Sequence, residues 1–144
     1  MTIAAILKHK GALVVTVPPD ANVSMIVTTL TAHRIGAVPI VDADERLLGI
    51  VSERDIVTCL AAHGADGLNM TAEQIMTRSP QVVTVAASVA EVMERMTEGR
   101  FRHLPVVAGG RMIGLISIGD IVKARLMAQE TEVNSLRAYV AGAA

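Results

Sequence analysis

Gly49-Ile-Val-Ser-Glu-Arg-Asp-Ile-Val57 and Gly114-Leu-Ile-Ser-Ile-Gly-Asp-Ile-Val122 are two copies of one pattern. Each has a glycine, an apolar strand end, Ser-x-x-Asp and an apolar helical start. A pattern that recurs once at a long interval points to a duplicated structural unit. Working outward, Arg34, Pro39, Val41, Arg46, Gly49, Ser52 and Asp55 match Arg100, Pro105, Val107, Arg111, Gly114, Ser117 and Asp120. Val15-Thr-Val17 is aligned with Val83-Thr-Val85, and Val23 with Val89, if one residue pair is dropped after each first strand and one residue in the hairpin turn.

Within each copy the periodicity changes in a fixed order. Val14–Val17 and Val82–Val85 are β-branched and short, as strands are. Asn22 and Ser88 precede helical runs: Val23, Ile26, Val27 and Leu30 in one, Val89, Val92, Met93 and Met96 in the other. Ile35-Gly36 and Gly99 are expected to end them. Ala37–Val41 with Leu47–Val51, and His103–Val107 with Met112–Ile116, are expected as hairpins, with Pro39 and Pro105 suiting a strand edge or start. Ser52 and Ser117 open further helices, to about Ala62 and about Ala128. Each unit is therefore β-α-β-β-α. About 45 residues cannot bury a sheet alone, so the two units are expected to pack sheet to sheet about a pseudo-twofold axis. The fold class is α/β (α+β). Outside the repeat, Thr2 is placed as the cap of a short helix, Ile3–Lys8, ended by Gly11. Thr71-Ala-Glu-Gln74 fits a capping box opening a helix over Ala72–Met76. A separate last helix is expected from about Val133 to Val140, ended by Gly142.

Composition narrows the function. The chain has 144 residues, net charge −1, one Phe, one Tyr and no Trp. That balance argues against nucleic acid, whose binding runs on phosphate-neutralising cations and aromatic platforms. One cysteine, Cys59, gives neither a disulfide framework nor a Cys-rich zinc site, and suits a small apolar position. His33 and His63 fall at helix ends, and no ligand-spaced cluster implies a metal. No apolar run is long enough to span a membrane. No export signal is recognised at the N-terminus, so the cytoplasm is the expected location. No nucleophile–base pair or Gly-x-x-x-x-Gly-Lys loop is present, so no catalytic residue is assigned and the chain is expected not to be an enzyme.

The β-α-β-β-α order, Arg34-Ile-Gly-Ala-Val-Pro-Ile-Val41, Arg100-Phe-Arg-His-Leu-Pro-Val-Val107 and both Ser-x-x-Asp stretches resemble a tandem pair of CBS domains, the Bateman module. The match covers about residues 2–128, and Asn134–Gly142 resembles the ending of small stand-alone CBS pairs. The resemblance implies a first CBS domain over residues 1–65 with the N-terminal helix, a second over 66–130 with the linker helix, and a tail over 131–144. It implies a non-catalytic module that binds adenosine-containing nucleotides (AMP, ADP or ATP, with NAD(H) and S-adenosylmethionine as further candidates) between the repeats. The carboxylates of Asp55 and Asp120 would hold ribose hydroxyls, and Ser52 and Ser117 would lie near the phosphates.

In that scheme Asp120 and Ser117 face Thr16, Ile35, Gly36, Ala37, Val38 and Pro39. Asp55 and Ser52 face Thr84, Phe101, Arg102, His103, Leu104 and Pro105. Arg54 aligns with Gly119 and Arg102 with Gly36, so the Asp55 cleft is expected to take more phosphate charge. The resemblance further implies a homodimer and a separate effector protein. The residues themselves leave a second account open. Taken singly, Ser-x-x-Asp is a helix cap with an acidic first turn. The clefts would then be vestigial and the protein an interaction module.

Overall fold

The computed structural model describes residues 1–11 and 14–143. The first repeat holds α2 (Val23–His33), β1 (Ala37–Val41), β2 (Leu47–Ser52) and α3 (Glu53–His63). After a 3-10 turn, Gly64–Asn69, come α4 (Ala72–Ile75) and β3 (Thr77–Arg78). The second repeat holds α5 (Val89–Gly99), β4 (His103–Ala108), β5 (Arg111–Ser117) and the start of α6 (Ile118–Ala143); α1 (Ile3–Lys10) leads the chain. β1 and β2 form one antiparallel hairpin and β4 and β5 the other, with a register irregularity at the same place, Ile40/Val41 and Val106/Val107. β3, a strand not expected from the sequence, adds to the free side of β2.

The expected first strands reduce to single parallel bridges, Val17 with Ile40 and Val83 with Val106. Proline is the reason. The Val17 N–H donates to the Pro39 carbonyl at 3.2 Å, and the Val41 N–H to the Val17 carbonyl at 3.1 Å. The next rung would need an N–H from Pro39, which proline lacks. Pro105 stops the Val83 bridge in the same way. These bridges also correct the sequence alignment. One uninterrupted shift carries Val17, Asn22 and Pro39 onto Val83, Ser88 and Pro105. No gap follows the first strand, and Thr16 is the counterpart of Val82, not of Thr84.

Helix ends obey local chemistry. Asn22, Ser52, Thr71 and Ser88 all accept a backbone N–H with their side chains, and the first-turn residues Asp55 and Gln74 return the bond. Thr2 occupies its cap position without a side-chain bond. α2 and α5 end on Arg34 and Arg100 in the left-handed region, φ 54° and 55°, rather than on the neighbouring glycines. The expected break between Ala128 and Val133 is absent, and α6 is one helix of 26 residues that runs past Gly142. Nothing between those positions breaks a helix: the run holds neither Gly nor Pro.

There are two cores. Val17, Val23, Ile26, Val38, Ile40 and Val51 anchor the first, and α4 joins it through Ala72, with Met76 just after the helix. Val83, Val92, Leu104, Val106, Ile116 and Ile121 anchor the second, and α1 joins it through Ile3 and Ile6. The leading helix thus packs with the second repeat and the linker helix with the first, the reverse of their grouping along the sequence. The seats are equivalent: Ala72 N–H donates to the Ala21 carbonyl at 2.7 Å, and Ile3 N–H to the Ala87 carbonyl at 2.9 Å. Cys59 is buried in the first core, its thiol 3.6 Å from the Gly67 carbonyl.

Candidate functional site

Each Ser-x-x-Asp stretch sits where a hairpin strand turns into a helix. Ser52 is paired across the hairpin with Ala37, and Ser117 with His103. The first helical N–H then reaches back to the strand entry: Glu53 donates to the Gly36 carbonyl at 3.0 Å, and Ile118 to the Arg102 carbonyl at 2.8 Å. The strand entry and the helix start are therefore one rigid corner in both repeats.

The carboxylates close that corner. Oδ2 of Asp55 accepts from the Ser52 N–H at 2.8 Å and from the Ser52 hydroxyl at 3.0 Å. Oδ2 of Asp120 accepts from the Ser117 N–H at 2.9 Å, and the Asp120 N–H donates to the Ser117 hydroxyl at 3.1 Å. In both aspartates Oδ1 makes no bond among the described residues. The Arg54 and Gly119 N–H groups, second in their helices, are also without a partner there. Each corner thus offers one carboxylate oxygen and one backbone donor at the positive end of a helix dipole.

The corners differ in charge, and not as the sequence implies. The Lys10 ammonium, at the end of α1, lies 2.8 Å from Asp120 Oδ2 and 2.9 Å from the Leu115 carbonyl. Burial raises the Asp120 pKa, but hydrogen bonds from Lys10 and Ser117 and the Lys10 charge outweigh it and hold the carboxyl below its ordinary value. The Asp120 corner, expected to be poor in cations, holds one of its own. Sequence reasoning missed Lys10 because the contact spans 110 positions and depends on α1 crossing to the second repeat.

The two strand entries meet at the seam between repeats. A Cβ placed on Gly36 would stand 3.6 Å from His103 Cε1 and 3.7 Å from the Glu53 carboxyl. Burial first, then the Lys10 charge, lowers the His103 pKa; Glu53 and Asp120 oppose this, and Arg102 adds to it. His103, Glu53 and Gly36 thus form one cluster with Lys10 and Asp120 at its edge. Glu53 was not among the site residues expected from the sequence.

The remaining expected residues divide by exposure. Thr84, Arg54 and Arg102 are exposed, and Thr16, Ile35 and Phe101 half-buried. Ala37, Val38, Pro39, Leu104 and Pro105 are buried, with Val38 and Leu104 at 0% and 1% exposure inside the two cores. Ile35 and Gly36 border an open hollow of about 430 Å³ between α2 and α3, floored by Leu30 and Ile56. Thr84 borders another, of about 380 Å³, beside Glu91 and Arg95. The equivalence that paired Thr16 with Thr84 does not hold in three dimensions. Among the described residues, no group of three or more His, Cys, Asp or Glu could hold a metal ion, and no helix is long and apolar enough to cross a membrane.

Two small hairpin units with paired Ser-x-x-Asp corners define a class of protein, the duplicated α/β module. The family model described as the CBS domain matches residues 14–62 and again 72–127, and the chain belongs to that family as a tandem pair. It is similar to the Arabidopsis thaliana CBS domain-containing protein CBSX3, mitochondrial, at 33% identity over 149 residues, covering 98% of this chain and 72% of that one. Some curated relatives are far longer, and the match spans 17% and 18% of two of them. The crystal structure of the CBS-domain containing protein ATU1752 from Agrobacterium tumefaciens superposes with a TM-score of 0.83 at 45% identity, covering 86% of this chain and 92% of that one. The structure of CBSX2 in complex with AMP gives 0.72 at 27% identity, covering 81% and 90%.

Proposed function

We propose that the chain is a non-catalytic regulatory module that binds adenine nucleotides at its two Ser-x-x-Asp corners and is read by a separate protein. One observation carries the proposal. Among the described residues each corner keeps one unbonded carboxylate oxygen and one unbonded helix N–H, which suit a ribose hydroxyl and a phosphate oxygen together. That CBSX2 was crystallised with AMP supports the choice of ligand class. The two sites differ. The Asp55 corner is flanked in sequence by Arg54, whereas the Asp120 corner has the Arg102 strand entry against its helix start, and a ribose there competes with Lys10 for the carboxylate. The module is proposed to act in the cytoplasm; the mitochondrial location in the name of CBSX3 belongs to that protein.

Isothermal titration with AMP, ADP, ATP, NADH and S-adenosylmethionine tests this. Asp55→Ala and Asp120→Ala should each abolish one class of site. Binding that survives both substitutions would refute the assignment. One observation favours a second reading, an interaction module with vestigial clefts: Val38 and Leu104, each expected to line a cleft, are closed into the cores. Absence of heat and of thermal shift with all five compounds would select it.

A further inference from the structure

α6 is about 39 Å long at the helical rise, for 26 residues. Only its first turns serve the second core, through Ile121 and Ala124. From Arg125 to Gly142 every residue is exposed. That stretch still carries large apolar side chains: Leu126 is 61%, Leu136 64% and Val140 60% exposed. A helix that only projects into solvent has no use for them. Their spacing is regular. Val122, Leu126, Gln129, Val133, Leu136 and Val140 alternate steps of four and three, the seam of a coiled coil. The seam lies about 100° around the helix from Ile121. One face therefore rests on the second core while the seam opens beside it.

We propose that α6 pairs, parallel and in register, with α6 of a second copy of this chain through this seam. The charges beside the seam choose the partner and its direction. In a parallel pair Arg125 faces the partner's Glu130, and Glu132 faces the partner's Arg137, so opposite charges meet twice over. An antiparallel pair centred on the same stretch sets Glu130 against Glu130, Glu132 against Glu132 and Lys123 against Arg137, all repulsive. None of these charges is in an ion pair among the described residues. Val133 and Val140 at one set of seam positions, with Leu136 between them at the other, suit two strands. Gln129 is the one polar seam residue and meets its own copy only in register. The seam is shorter than a free coiled coil needs, but the folded second repeat already holds the first turns and so supplies the costly nucleus. The inference stands apart from the nucleotide reading: it uses no residue of either corner.

Light scattering after gel filtration of the full chain is the first test, with a dimer expected. The double variant Val133→Glu/Leu136→Glu should be monomeric yet folded, with a circular dichroism melt that no longer depends on protein concentration as the wild type's does. Glu132→Lys should weaken the dimer about tenfold or more, and Glu132→Lys/Arg137→Glu should restore it. Gln129→Cys and Leu136→Cys should each form an interchain disulfide, against a background in which Cys59 is buried. In an antiparallel pair at most one of the two positions can meet its own copy. A wild type that stays monomeric up to about 100 µM, well above the dissociation constant of a micromolar dimer, would overturn the proposal. So would a dimer that survives the double glutamate variant, a charge swap that fails to rescue, or cross-linking at fewer than both cysteine positions.

Discussion

The ion pair between Lys10 and Asp120 makes a quantitative prediction. At 2.8 Å two unit charges attract by about 1.5 to 6 kcal/mol gross, for effective dielectric constants of 80 down to 20. Against this stand partial desolvation and the freezing of a lysine side chain, which costs up to about 2 kcal/mol. Lys10 is 42% and Asp120 20% exposed, so solvent screens the pair and its net contribution should be about 0.5–1 kcal/mol. A double-mutant cycle of Lys10→Met and Asp120→Asn measures it, because methionine keeps the aliphatic stem and asparagine the shape. Far-UV circular dichroism should follow urea unfolding, since the chain has no tryptophan. At pH 7 and low salt the coupling should be about 0.5–1 kcal/mol and should shrink in high salt.

The pH dependence has a definite sign. The folded Asp120 pKa is depressed below its ordinary 3.8. Its contribution is therefore present above 3.8 and is lost as pH falls through the lower folded value. A coupling within about 0.3 kcal/mol of zero at pH 7, or one unchanged in strong acid, would refute the assignment. If Lys10 also competes with a ribose, Lys10→Met should strengthen adenosine binding up to about fivefold without a matching gain for AMP.

Two further outcomes follow from packing. At Gly49 a Cβ would fall 2.6 Å from Met76 Sδ and 2.7 Å from the Thr77 carbonyl, which is backbone and cannot step aside. Gly49→Ala should therefore cost about 1–3 kcal/mol. At Gly114 the nearest atom, also at 2.6 Å, is the tip of Leu7, which can rotate. Gly114→Ala should cost clearly less, and equal urea midpoints for the two variants would contradict this. Ile3 is fully buried in the second core, so Ile3→Ala should cost about 2–5 kcal/mol. Hydrogen exchange should speed up in α5, β4 and β5; loss of protection centred on α2 and β1 instead would show that α1 is seated elsewhere.

The hairpins and their helices were legible because they rest on local chemistry. Alternation, a Ser or Asn cap and a polar turn placed β1, β2, β4 and β5 almost to the residue. What failed depended on distance or on backbone accounting. Val14–Val17 has the composition of a strand, yet Pro39 allows it one rung. Arg34 and Arg100 take left-handed conformations that residue preferences assign to their glycine neighbours. Thr16 and Thr84 were joined by a gap that only the bridges Val17–Ile40 and Val83–Val106 could remove. At the site, Ser52–Asp55 and Ser117–Asp120 were visible because each pair is separated by one helical turn. Lys10 was not, since nothing in α1 records which repeat it will cover. The seam cluster of Gly36, Glu53 and His103 likewise exists only once two distant hairpins meet.

The crossing of α1 to the second repeat has a consequence for synthesis. α1 leaves the ribosome before either repeat, while its seat, from Val83 to Ile121, is made only after the first repeat. At about 5–20 residues per second, Ile3 and Ile6 wait on the order of 5–20 s before they can be covered. The first repeat need not wait, because α4 follows it directly and completes its core. The nascent chain should thus carry a finished first half trailed by an uncovered apolar helix, and the second half should close only when α1 returns to it.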